Sequence, residues 1–111
     1  MENLSLPFVA WLVFVAAAIL EVGGDGVVRQ GLKNGSWLWI GAGCLALACY
    51  GLVVNLVKWD FSKLLGVYVA VFATISVLAG RFVLGEDVPA TTWTGLGLIV
   101  AGALVIQYGS R

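Results

Sequence analysis

Glu21, Asp25 and Arg29 stand four residues apart within a long apolar stretch that includes Ala16-Ala17-Ala18-Ile19-Leu20-Glu21-Val22-Gly23-Gly24-Asp25-Gly26. On a helix this spacing carries all three onto one face. The simplest division of labour pairs Asp25 with Arg29 near the end of the stretch, as a structural ion pair. Glu21, one turn deeper, is then the group able to do chemistry. A carboxyl in an apolar medium is drawn towards its neutral form, so it can hold a proton or give it up for a cation. That is the exchange a proton-coupled transporter needs. Gly23, Gly24 and Gly26 remove side-chain bulk beside the acids, so another helix, water or a ligand can come close. Glu21, Asp25 and Gly24 are therefore candidate proton- and substrate-binding residues. A structural reading competes with this one: Glu21 snorkels or hydrogen-bonds inside a helix bundle, and the glycines serve packing alone.

Other chemistries find little support. The chain has no histidine, which excludes the usual zinc centres and Ser-His-Asp hydrolases. Cys44 and Cys49 are five apart, which on a helix is roughly 500° and places them on different faces. They form no CxxC pair and read as small packing residues. No nucleophile–base pair, metal set or cofactor motif is visible, so an enzyme is the least supported class. Six basic residues balance six acidic ones, which argues against a nucleic-acid partner.

The elements that must position these residues follow from composition. Of 111 residues, 61% are hydrophobic and 11% charged, with a mean hydropathy of +1.03. A soluble domain is typically about 45–50% apolar and about 25% charged. Twelve charges cannot cover a water-soluble globule, so lipid must take the place of the missing polarity. Apolar stretches at about residues 6–28, 37–57, 64–84 and 92–108 each approach the ~20 residues that cross a bilayer core. Short connectors with turn chemistry separate them: Asn34-Gly35, Trp59-Asp60-Phe61-Ser62 and Gly85-Glu86-Asp87-Val88-Pro89. Trp37, Trp39, Trp59, Trp93 and Tyr108 fall at the ends, as interfacial aromatics do. The first stretch lacks the positive leading region of a signal peptide and is too long for one, so it reads as a retained helix. The expectation is an all-α integral membrane protein, one four-helix transmembrane domain over residues 1–111.

The third stretch carries a small-residue stripe, Gly66, Ala70, Ala73, Ser76 and Gly80, with Thr74 and Ser76 able to bond across helices. It also carries Tyr68 and Phe72 one turn apart, an aromatic pair that could hold a cation or simply pack. The fourth has no charge between Thr92 and Tyr108, and its Gly95, Gly97, Ala101 and Gly102 suit helix or dimer packing. With an even number of spans, Lys58, Lys63 and Arg111 fall on one side of the membrane and Arg29, Lys33 and Arg81 on the other. Three against three gives the positive-inside rule nothing to act on. A protein inserted both ways up would show that balance, and so small a count can also balance by chance.

The run Ala17-Ala18-Ile19-Leu20-Glu21-Val22-Gly23-Gly24, with Arg29 after it, resembles the first helix of the small multidrug resistance transporters. Phe82-Val83-Leu84-Gly85-Glu86-Asp87-Val88-Pro89, running into Trp93-Thr94-Gly95, is similar to the closing hairpin of the wider drug/metabolite transporter superfamily. The resemblance implies that Glu21 binds proton and substrate alternately, with Gly24 and Arg29 in matching places. It sets Trp11 near the first-helix aromatic of that family, and Tyr68 and Phe72 near those of its third helix. Asp25 is a departure, a second acid, and Phe72-Ala73-Thr74 stands where the family has Trp-Ser-Gly. Gly66-Val67-Tyr68-Val69 is similar to a related set of four-helix membrane proteins. Four helices of this size cannot easily enclose a path, whereas two copies placed head to tail form an inverted repeat with a midplane site. The expected function is therefore proton-coupled efflux of a small, cationic substrate by an antiparallel homodimer in the inner cell membrane. A non-transporting accessory or scaffold subunit and a lipid-carrier flippase subunit are the alternatives.

Overall fold

The computed structural model describes residues 7–109, all four elements being helices: α1 (Pro7–Asn34), α2 (Trp37–Val54), α3 (Phe61–Phe82) and α4 (Ala90–Gly109). Each has the length and apolar composition to cross a membrane. The chain divides into two compact units, one ending at Lys58 and the other beginning at Trp59. The first holds α1 and α2, the second α3 and α4.

α1 runs well past the connector expected at residue 29, to Asn34. Nothing between Arg29 and Asn34 breaks a helix, and Gln30, Leu32 and Lys33 favour one. What stops it is Gly35 at φ +67°, with the Ser36 N–H reaching back to the Gly31 carbonyl at 2.9 Å. This is the six-to-one closure of a Schellman turn, and Lys33 in the last turn complements the helix dipole. Ser36 also opens α2, its hydroxyl oxygen accepting the Trp39 N–H at 3.3 Å. One residue thus ends one helix and starts the next, which folds α2 back antiparallel to α1.

Small residues set the seam between the two. A Cβ added to Gly24 would lie 3.0 Å from Leu47 Cγ and 3.1 Å from the Gly43 carbonyl oxygen. One added to Gly43 would lie 2.8 Å from the Gly24 carbonyl oxygen, and one on Gly31 2.8 Å from Ile40. The backbones therefore approach as closely as glycine permits. α2 ends at Val54, short of residue 57, because the Asn55 side-chain amide donates to the Gly51 carbonyl at 2.8 Å and caps the last turn.

In the second unit α3 starts at Phe61, three residues earlier than expected. Its cap is the Asp60 backbone, whose carbonyl accepts the Leu64 N–H at 2.8 Å, while the Asp60 side chain makes no capping bond. The Lys63 ammonium sits 4.4 Å from the centre of the Trp59 ring beside it. Leu64, Val67, Tyr68, Ala70 and Gly80 of α3 are buried, and Gly66 faces Ile106 of α4. The α3–α4 connector turns at Gly85 (φ +70°), with the Glu86 N–H donating to the Gly80 carbonyl at 2.9 Å. α4 is mostly exposed, Ala103 being its buried residue. Gly95, Gly97 and Gly102, expected to pack, have no side chain or neighbouring backbone within 4 Å of where a Cβ would stand.

Candidate membrane-embedded acid site

The buried positions of α1 fall at Ala10, Phe14, Ala17, Gly24 and Gly31, with Ala18 beside Ala17. Spacings of four and three residues, repeated, make one stripe down a helix. Glu21 occupies the place in that stripe between Ala17 and Gly24, and is half-buried. Gly24 and Gly31 show what the stripe's lower half faces, which is α2 at Gly43, Ala46, Leu47 and Ile40. In this antiparallel register Glu21 is level with the turn of α2 that follows Leu47. Tyr50 lies in that turn, within electrostatic range of the Glu21 carboxylate. A tyrosine hydroxyl can donate to a carboxylate or accept from a carboxylic acid, so the pairing tolerates either state of Glu21.

Depth follows from the same register. α2 has 18 residues and so spans about 27 Å, close to the ~30 Å of a bilayer core. Gly24 meets α2 around its middle, at Gly43 to Leu47. Glu21 is then about 4.5 Å from mid-span along the helix axis, and Asp25 about 1.5 Å on the other side. Asp25 does not mark the membrane edge, as the shorter helix expected from sequence implied; α1 continues nine residues beyond it. Asp25 and Arg29 are both exposed, and among the described residues no salt bridge joins them.

The three glycines beside the acids have separate roles. Gly24 is filled by α2, whereas Gly23 and Gly26 have nothing within 4 Å. Contact with α2 and open approach both occur, on different sides of α1. Trp11, about 15 Å before Glu21 along α1, packs edge-on against Phe14 of the stripe, ring centres 6.1 Å apart. Tyr68 and Phe72 belong to the second unit and stack at 6.4 Å, with Tyr68 buried. The hydroxyls expected to bond across helices turn inward on α3: Thr74 donates to the Ala70 carbonyl at 2.7 Å and Ser76 to the Ala73 carbonyl at 2.9 Å. Both side chains are part-buried, and inside a span the carbonyl one turn back is the acceptor always within reach. Cys44 and Cys49, read as packing residues, are free thiols on exposed positions of α2.

Sequence reasoning missed Tyr50 and Gln107. Tyr50 is a phenol in the last turns of α2 and Gln107 an amide near the end of α4, and residue type is the one signal the sequence offers for either. Gln107 Oε1 is buried and accepts no hydrogen bond among the described residues.

Comparison with known proteins agrees over nearly the whole chain. A family model described as "Uncharacterised BCR, YnfA/UPF0060 family" matches residues 8–111. A UPF0060 membrane protein of Streptomyces avermitilis is 40% identical over 101 residues, covering 89% of this chain and 90% of the relative. One from Mycolicibacterium gilvum is 37% identical over 102 residues, covering 90% and 94% respectively. No solved structure matches. These relatives are named membrane proteins, and four helices here are apolar and long enough to span, so the chain is a multi-pass membrane protein. It belongs to the YnfA/UPF0060 family.

Proposed function

We propose that this chain is the subunit of a proton-coupled transporter that exports a small cation across the inner cell membrane by alternating access. Two copies inserted head to tail form the working unit. The observation that carries the reading is the place of Glu21: a carboxyl near mid-span, on the stripe of α1 that packs against α2, with Tyr50 in range. The resemblance of residues 17–24 to the first helix of the small multidrug resistance transporters supports it.

Glu21 binds either a proton or the cation, never both. Loss of the proton creates the charge that attracts the cation, and arrival of a proton from the other side releases it. The close α1–α2 contact at Gly24 and Gly43 fixes the height of the carboxylate, and the open sides of Gly23 and Gly26 admit the ligand. The opposed copy supplies a second Glu21 to the shared cavity, which makes the two membrane faces equivalent.

The test is cation-driven proton flux in liposomes containing purified protein. Glu21→Gln keeps the size and hydrogen bonding of the side chain but removes the charge and the exchangeable proton. It should leave the protein folded and abolish coupled flux. Glu21→Asp should retain exchange with its optimum moved to lower pH, since aspartate is the stronger acid. Coupled flux undiminished in well-folded Glu21→Gln protein would refute the mechanism and favour an accessory subunit.

A further inference from the structure

Tyr50 has no task in the exchange just described, yet the packing of α2 on α1 delivers it to the acid that carries that exchange. Gly31 lies against Ile40, Val28 against Gly43, and Gly24 against Ala46 and Leu47. Each step of three or four residues back along α1 is matched by a step of three or four forward along α2, as an antiparallel helix pair requires. The next step sets Glu21 against Tyr50. The one after it sets Ala17 against Val54, and both of these are buried. The acid and the phenol thus share one level of the seam, closed on one side by Ala17 and Val54 and on the other by Gly24 and Leu47. Both are half-buried and within electrostatic range of each other.

Few other groups compete for this acid on the two helices. The remaining charges of α1 are Asp25 and Arg29, about one and two turns away, and Lys33 at its end. α2 carries no acid or base from Trp37 to Val54, and its thiols, Cys44 and Cys49, stand on exposed positions. Tyr50 is therefore the titratable group that α2 turns towards Glu21. A phenol has one hydrogen to give, so it engages one oxygen of the carboxylate and leaves the other for a proton or a cation. The same hydroxyl can accept from a neutral Glu21, but a hydrogen bond to the charged form is roughly twice as strong. The hydroxyl thereby favours the deprotonated state and eases loss of the proton inside an apolar span.

We propose, building on the transport reading, that Tyr50 is a positioning residue for Glu21: its hydroxyl holds one carboxylate oxygen in the α1–α2 seam and so sets the pH at which the site exchanges its proton.

Infrared titration of the purified full-length protein in lipid vesicles, with no organic cation added, follows the protonated carboxyl of Glu21, identified as the band that Glu21→Gln removes. Tyr50→Phe takes away one oxygen and keeps the ring. Its Glu21 midpoint should lie about one pH unit above wild type, the difference between a charged and a neutral hydrogen bond. Tyr50→3-fluorotyrosine keeps the hydroxyl and makes it a stronger donor, so its midpoint should fall below wild type. A part in packing alone would not produce opposite shifts from two rings of nearly the same size. The pH optimum of coupled flux should move in the same two directions. Equal midpoints in wild type and folded Tyr50→Phe, or a midpoint that does not fall in the fluorotyrosine protein, overturns the proposal. The titration requires no transport, so such a result alongside flux that Glu21→Gln abolishes would remove the role of Tyr50 and leave the transport reading standing. Coupled flux undiminished in Glu21→Gln would remove the transport reading and, with it, this proposal.

Discussion

Replacing Gly43 by alanine tests whether the α1–α2 seam is as tight as its glycines indicate. The new Cβ would stand 2.8 Å from the Gly24 carbonyl oxygen and 2.8 Å from the Val28 amide nitrogen, with Val28 Cγ2 nearer still. Ordinary carbon contacts lie near 3.5–4.0 Å. Two of the three obstacles are backbone, so no rotamer change relieves them and the helices must part. Overpacking of this kind costs about 1–3 kcal/mol. Alanine returns ~0.8–1.0 kcal/mol of helix propensity relative to glycine. Where overpacking is at the upper end, the net loss is about 1–2 kcal/mol, a factor of five to thirty in the folded-to-unfolded ratio.

The same arithmetic ranks its neighbours. Gly24→Ala meets the Leu47 side chain at 3.0 Å and the Gly43 oxygen at 3.1 Å, so a partial shift suffices and the loss should be smaller. Gly41→Ala meets nothing within 4 Å and should gain up to ~1 kcal/mol from propensity alone. Equilibrium unfolding in mixed micelles, followed by tryptophan fluorescence, reads all three. The order expected is Gly41→Ala above wild type, then Gly24→Ala, then Gly43→Ala. A Gly43→Ala protein as stable as wild type, or a Gly41→Ala protein equally damaged, would refute the seam as described.

At Gly80 an added Cβ would meet only the end of the Glu86 side chain, at 2.6 Å. Gly80→Ala should therefore destabilise less than Gly43→Ala in the same unfolding assay, and Glu86→Ala should remove whatever penalty remains. Gly35→Ala forces a β-carbon into a φ of +67° and should cost about 1–2 kcal/mol, read in the same way. Adding two or three lysines to the 55–60 connector should fix one orientation in the membrane and lower transport. Coexpression with an oppositely biased copy should restore it, and cysteine labelling that finds all wild-type molecules facing one way would defeat the head-to-tail pair.

Helix number and order were legible because a membrane leaves few options: every backbone group must be satisfied within the span, so four long apolar stretches become four helices. Boundaries were less so, for local reasons. Residues 29–34 look like a connector by charge, yet Arg29, Gln30 and Lys33 are good helix formers and the stop signal is Gly35. Asn55 ends α2 early through a side-chain bond that composition does not reveal. Glu21 stood out as an acid in an apolar run, but its place on the stripe that packs against α2 shows only in the buried positions around it. Tyr50 did not stand out, because only the register of α2 against α1 brings it level with Glu21, and that register depends on which glycines touch.

Those touching glycines also explain why the acid sits where it does. Lipid offers little hydrophobic drive for helix association, so α1 and α2 are held mainly by close van der Waals contact. The backbones meet closely at Gly24 and Gly43, one turn from Glu21, and a side chain at Gly43 would force the helices apart. Separation would loosen the height of Glu21 against Tyr50 in the same movement. The seam that stabilises the pair is therefore also the seam that positions the acid. It follows that stability and coupling should fall together in Gly43→Ala, whereas Glu21→Gln should separate them, losing coupling from a pair of helices that remains closed.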